Sequence, residues 1–276
     1  MRIKLLMSLL ILPVVVMSQN FQGKATYKTH RKVEVKMQDG EAGITSDIQK
    51  QLHEKMKKMF QKTFTLNFNK SSSTYIQNEE LDPEVKSGGV QVMVFGNGGT
   101  GDVLYKNIVE KRYANKTEIS GKRFLIKDKL EKPEWEMTSE AKKIGKYTCY
   151  KATRTKEEER ISQMMTDGEV EEKKEMVTVV TTAWFTPEIP VSNGPSMYWG
   201  LPGLILEVHE GKQTIICSEI VLNPTKKIEV DEPKKGKKVS QKEIDAIIKE
   251  KTQEMIERFK GRRGGDGDSM SIEIRG

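Results

Sequence analysis

The sequence predicts an α+β protein: a mainly antiparallel, curved β-sheet of the half-barrel type packed on an amphipathic helix, with a second helix near the C-terminus. Three observations lead there. Short runs rich in Val, Thr, Ile and aromatic residues recur across residues 21–222, with turn residues between them. Residues 46–62 instead space their apolar side chains at helical intervals. A stretch punctuated by proline and glycine, Ala183 through Val208, carries Trp184, Phe185, Tyr198 and Trp199 and joins two of the strand-like runs.

The chain begins with the three parts of an export signal. Arg2 and Lys4 supply positive charge, Leu5 to Val16 an apolar run, and Val16-Met17-Ser18 a small-residue cleavage site before Gln19. That apolar run falls short of the roughly 20 residues that span a bilayer. Cleavage removes Arg2 and Lys4 and takes the net charge from +7 to +5. No cysteine follows the apolar run, so a lipid anchor is not expected. The expectation is a periplasmic or secreted protein, peripheral to a membrane at most. Hydrophobic content of 36% against 32% charged residues implies a modest core.

From Phe21 to Lys36 the chain reads as a strand, ended by Asp39-Gly40. Ser46-Asp47-Ile48-Gln49 forms a capping box, after which Ile48, Leu52, Met56, Met59 and Phe60 share one helical face. Thr63 to Asn69 alternates, with Phe64, Leu66 and Phe68 on one side, and Ser72 to Gln77 pairs with it. Residues 78–101 have loop composition. Their glycines lack the lysine and hydroxyl of a P-loop and do not fit a dinucleotide fingerprint. Strands follow at about 103–109, 111–119 and 121–128, then a connector beginning at Trp135 and a strand over 147–155. The Glu- and Lys-rich residues 156–176 suit either a long exposed hairpin arm or a mobile loop. Val177 to Phe185 is a strand, and Leu204–Val208 with Gln213–Leu222 makes a hairpin across Glu210-Gly211. Asn223-Pro224 closes this β-rich domain, which spans residues 19–224.

Residues 225–239 form a basic linker. Its densest run, Lys234 to Lys238, reads as solvated, since no nucleic-acid-binding module accompanies it. A second capping box at Ser240–Glu243 opens a helix over 240–261, with an apolar stripe of Ile244, Ile247, Ile248, Met255 and Phe259. Residues 262–276 are glycine-rich and charged, a composition that predicts disorder.

Catalytic chemistry finds little support. His30, His53 and His209 are the three histidines. His53 with Met56 and Met59 would suit Cu(I), yet both methionines lie on the apolar stripe, where thioethers fill core gaps. His209-Glu210 could exchange protons, but no nucleophile stands near in the sequence, and a hairpin tip explains the pair. No catalytic residue, cofactor or metal is expected. Cys149 and Cys217, 68 residues apart, are either a disulfide or two buried thiols. Pairing needs Cα atoms within about 7 Å and would contribute about 4 kcal/mol. The aromatics of the central stretch either plug one end of the sheet or rim an apolar cavity. In the second case Met56, Met59, Phe60, Trp184 and Trp199 are the ligand-binding candidates.

Gly200-Leu201-Pro202-Gly203-Leu204-Ile205 spells the motif that names the GLPGLI family, and Ala183 to Pro190 with Gly194-Pro195 resembles that family's upstream block. Weaker echoes occur at Ser72 to Tyr75 and at Tyr147 to Ala152, so the likeness runs from about Phe21 to Pro224. It implies an exported protein of Gram-negative bacteria without an established catalytic mechanism. The predicted sheet-and-helix arrangement also resembles the lipoprotein-carrier type of exported fold, whose curved sheet leaves an apolar concave side. Two functions follow as expectations. One is a non-catalytic binding or carrier module for an apolar small molecule, a lipid, or a lipidated or outer-membrane partner. The other is a structural or interaction protein of the envelope with a filled core.

Export makes a direct prediction. Intact-mass analysis of the protein from its native host's periplasmic fraction should place the mature N-terminus at Gln19 or within a few residues of it. A mass beginning at Met1 would refute export.

Overall fold

A computed structural model describes residues 21–31, 61–78, 101–166, 169–262 and 270–275. The export signal, the stretch bearing Met56, Met59 and Phe60, and the glycine-rich residues 79–100 lie outside the described residues. The strands are β1 (Gln22–Arg31), β2 (Lys62–Asn69), β3 (Ser72–Gln77), β4 (Val103–Asn107), β5 (Arg112–Ile119), β6 (Lys122–Lys129) and β7 (Glu136–Ile144). They continue with β8 (Tyr147–Thr166), β9 (Glu169–Thr186), β10 (Leu204–Glu210), β11 (Gln213–Leu222), β12 (Lys237–Val239) and β13 (Met270–Arg275). Among the described residues one helix, α1 (Gln241–Arg262), stands near the C-terminus.

All of these strands join one open mixed sheet, in the order β12-β6-β5-β4-β3-β2-β1-β11-β10-β9-β8-β13, with β7 also on β8. Among the described pairings only β12 on β6 is parallel. The expected mainly antiparallel sheet and C-terminal helix are therefore present. Three strands were not foreseen. Residues after Trp135 form β7 rather than a simple connector, β12 lies inside the predicted linker, and β13 lies inside the tail expected to be disordered. In β13 the alternation Met270-Ser271-Ile272-Glu273-Ile274-Arg275 pairs with β8, a period-two pattern that the glycine-rich composition around it obscured. The Glu- and Lys-rich arm resolves into a hairpin, with β8 and β9 paired from Tyr150–Phe185 out to Thr166–Glu169.

Strand alternation sorts the side chains into two faces. Along one row the register links Gly23, Phe68, Ser73, Lys106 and Tyr113 across β1 to β5. The next row holds Ala25, Leu66 and Tyr75. These face inward with Tyr27, Phe185, Leu206 and Val208, and residues 187–203 lie over them, contributing Ile189, Val191, Tyr198 and Leu201 to the same core. A second core packs Tyr113, Phe124, Ile126 and Leu130 against Trp199, Val239 and Ile244. Here α1 docks by Ile244, with Ile247 and Ile248 beside it. Its capping box is made, the Glu243 N–H donating to Ser240 Oγ (3.3 Å) and the Ser240 N–H to Glu243 Oε2 (2.6 Å). Tyr113 Oη donates to Gln241 Oε1 at 2.7 Å and fixes the start of the helix on β5.

The predicted linker is not simply solvated. Val230 packs on Tyr105, Ala114 and Leu125, which point to the opposite face from Lys106, Tyr113 and Phe124. Glu232 pairs with Arg112 at 2.8 Å and Lys127 at 2.6 Å. The chain thus straps the outer face of β4–β6 and then turns the sheet's edge at Gly236. That residue takes φ 131°, and a Cβ there would meet the Phe124–Leu125 backbone. Lys234, Lys235, Lys237 and Lys238 remain exposed on the strap.

Gly203 sets how closely the 187–203 segment returns to the sheet. A Cβ there would overlap the Thr186 carbonyl and Pro187 N, backbone atoms that cannot swing aside. Gly203→Ala should therefore destabilise the fold by about 3 kcal/mol, read from the midpoint of urea unfolding at unchanged slope. An unchanged midpoint would show that the segment is not held against β9.

Candidate functional site

Residues 187–203 have no regular secondary structure, yet most of their side chains from Ile189 onward are buried or half-buried. Tight turns account for part of the backbone: Val191 N–H donates to Ile189 O, Asn193 N–H to Val191 O and Gly203 N–H to Leu201 O, each at 2.8 Å. The segment then folds back on the start of β10, through Leu204 N–H to Ile189 O and Ile205 N–H to Asn193 O, both at 3.0 Å.

The remaining polar groups are met by side chains of the sheet. Lys106 Nζ donates to Gly194 O at 2.8 Å and to Tyr198 O at 3.1 Å. Ser73 Oγ donates to Asn193 Oδ1 at 3.2 Å, and the Gly194 N–H reaches the same oxygen at 2.9 Å. Tyr27 Oη donates to Ile205 O at 2.7 Å. At the other flank, Trp135 Nε1 donates to Trp199 O (2.8 Å) while Trp199 Nε1 donates to Glu131 O (3.0 Å). The Arg154 guanidinium lies over the Trp135 and Tyr198 rings, 5.5 and 5.7 Å from their centroids.

Lys106 is the unusual member. It is fully buried, and desolvation pushes its amine down to about 7. Tyr75, on the same face of neighbouring β3, stacks on Phe64 at 4.7 Å, and its hydroxyl has no partner among the described residues. Burial raises the Tyr75 and Tyr27 phenols well above their usual range, so both stay neutral donors.

A second polar cluster lies around β10. Glu207 pairs with Lys142 at 2.7 Å and with His209 Nε2, and His209 Nδ1 stands 3.1 Å from Thr214 Oγ1. Lys142 Nζ also sits 4.3 Å from the centroid of Trp184, the cross-strand partner of Glu207. Burial pushes the Glu207 carboxyl upward, but hydrogen bonds from Lys142 and His209 outweigh it and hold the group below its ordinary value. His209 therefore engages Glu207 across one strand position, while Glu210 accepts from Thr181 Oγ1. The cluster stacks an ion pair on an aromatic ring, and cross-strand pairing explains it without a reaction. Among the described residues no three His, Cys, Asp or Glu side chains gather to hold a metal.

Of the candidate residues, Trp184 and Trp199 do not share a site. Trp199 is buried in the core beside α1, whereas Trp184 is half-buried in β9 against the other core. Met56, Met59 and Phe60 lie outside the described residues. Cys149 and Cys217 are both buried, in the same core, and both are free thiols. β9 and β10 separate their strands in the sheet order. Burial pushes the two thiols up to about 11 and about 12. Lys106, Asn193 and Ser73 were missed in the sequence. The available signal was a lysine in phase with Leu104, at a position that strand alternation assigns to the core.

Trp199 should consequently matter more to stability than Trp184. Trp199→Ala is expected to cost about 3–5 kcal/mol and Trp184→Ala clearly less, compared by chemical denaturation. Equal losses would contradict this division between a buried and a half-buried ring.

A family model described as "Protein of unknown function (Porph_ging)" matches residues 135–207, from the Trp135 tie through the central segment to Glu207. No curated protein matches the sequence. Among solved structures, PNGF-II in its C2 crystal form is similar at 12% identity and a TM-score of 0.48, over 83% of this chain and 32% of that one. The P21 form of PNGF-II gives 13% identity and 0.48, over 82% and 33%. This chain thus spans about a third of the length of those solved chains.

Proposed function

We propose that this chain is an exported, non-catalytic interaction protein of the cell envelope, whose sheet is filled by its own aromatic segment rather than by a ligand. The observation that carries this reading is the occupancy of the inner face. Ile189, Val191, Tyr198 and Leu201 cover Tyr27, Leu66 and Tyr75, where a carrier would need free apolar surface. Interiors packed in this way leave little volume for a guest. In this reading the likeness of Gly200–Ile205 to the GLPGLI proteins is one of kinship, and the sheet is a carrier-like half-barrel closed from within. The outward groups then serve as contacts: the charged β8–β9 hairpin and scattered exposed apolar residues such as Met176, Val180 and Ile216.

The competing function is a carrier for an apolar molecule or lipid, with Met56, Met59 and Phe60 lining its site. An environment-sensitive fatty-acid probe titrated into signal-free protein separates the two. The filled core predicts no saturable fluorescence change. Saturable binding that weakens in Met56→Glu or Phe60→Glu, with circular dichroism unchanged, would overturn the proposal in favour of a carrier.

A further inference from the structure

We propose that opening of the 187–203 segment away from the sheet takes up one proton at Lys106, which makes the segment a proton-linked latch over the inner face. This inference stands on the Lys106 geometry and does not depend on the function proposed above. A neutral amine has two N–H donors, and Lys106 has two acceptors, the carbonyls of Gly194 and Tyr198. The ammonium form would carry a third N–H with no acceptor among the described residues, and a charge with no carboxylate at ion-pair distance among them. Both acceptors belong to the segment, so lifting it removes both bonds at once and exposes the amine to water. The closed state therefore suits the neutral amine and the open state the charged one.

The groups that face Lys106 leave this proton balance to the lysine. They are Ser73 and Tyr75 from β3, Tyr113 from β5, and Asn193 and Tyr198 from the segment itself, with the Arg154 guanidinium of β8 over the Tyr198 ring. Burial raises the phenols of Tyr27 and Tyr75, and that of Tyr113 to about 12, so they stay neutral through the range in question. Asp128 of β6, one strand beyond Tyr113, is held below its usual range by the Gln241 and Lys129 amides and stays ionised.

The direction of the linkage follows. In the closed state the amine titrates near 7, and in the open state near its ordinary 10.5. Above about 10.5 both states are neutral and the latch is tightest. As pH falls from there to about 7 the open state holds a proton that the closed state lacks, so opening becomes about tenfold easier per pH unit. Below about 7 both states are protonated and the dependence levels off.

Hydrogen–deuterium exchange of the full chain tests this between pH 6 and 9.5, with protection factors corrected for intrinsic rates. Protection of the Val191, Asn193, Tyr198 and Ile205 amides should fall about tenfold per unit from pH 9.5 to 7.5 and level off below 7. Amides of β5 and β6 should change less than threefold. In Lys106→Met the slope should vanish. A flat profile in the natural protein, an equal slope in β5 and β6, or a slope that survives in Lys106→Met would overturn the latch. Should Lys106→Met fail to fold, the Lys106 13Cε resonance in the natural protein decides. A midpoint near 7 upholds the proposal, and one above 9.5 overturns it.

Discussion

The fold depends on laying an irregular segment across an apolar sheet face without leaving its backbone thirsty. Helices and strands satisfy their own carbonyls, but residues 187–203 do so only in part. Each buried carbonyl left without a donor costs about 1–3 kcal/mol, against an overall stability of about 5–15 kcal/mol for an ordinary domain. Several such omissions would undo the fold. The sheet therefore lends donors from its own strands: Tyr27 from β1, Ser73 from β3 and Lys106 from β4, with Trp135 at the flank. Prolines lessen the demand from the other side. Pro187, Pro190, Pro195 and Pro202 have no N–H to satisfy and restrict the unfolded chain as well.

The same sheet has two covers. Over β1–β5 the inner face meets the central segment, and over β4–β6 the outer face meets the strap that bears Val230 and Glu232. Strands β4 to β6 are consequently buried on both sides, which explains why Phe124, Leu125 and Ile126 are consecutive core residues in β6. The β8–β9 hairpin extends beyond β10 with charged residues along it, as expected where a long ribbon must avoid pairing with other chains.

Much of this was legible because local chemistry and tertiary need agree. Val177 to Phe185 is rich in Val and Thr and followed by Pro187, and it lies within β9. The Glu210-Gly211 turn and the Ser240–Glu243 box appear where their residues require them, Gly211 with φ 56°. Strand β7 was hidden because Glu136-Met137-Thr138-Ser139-Glu140 gives no apolar alternation. Its strand state comes from pairing with β8, not from its own preference. Strap and central segment were read as linker and crossover for a related reason. What they cover is decided by the order of strands, and sequence reading gives each strand without its neighbours. The two thiols belong here as well, since both are buried strand cysteines in either account.

The choice of lysine at position 106 follows from geometry rather than from charge. Methionine would fill a similar volume but strand the carbonyls of Gly194 and Tyr198. Arginine would bring five donors in a planar fork to a place that offers two acceptors. Glutamine could donate from its amide nitrogen but would bury a carbonyl of its own, an acceptor that the two segment carbonyls cannot serve. A neutral amine on a flexible stem meets the two carbonyls and adds no acceptor beyond one lone pair. Its cost is the desolvation of a group that water would keep charged, and that cost is confined to the closed segment. Stability and proton affinity are thus set against each other at one buried atom, directly beneath the stretch that closes the sheet.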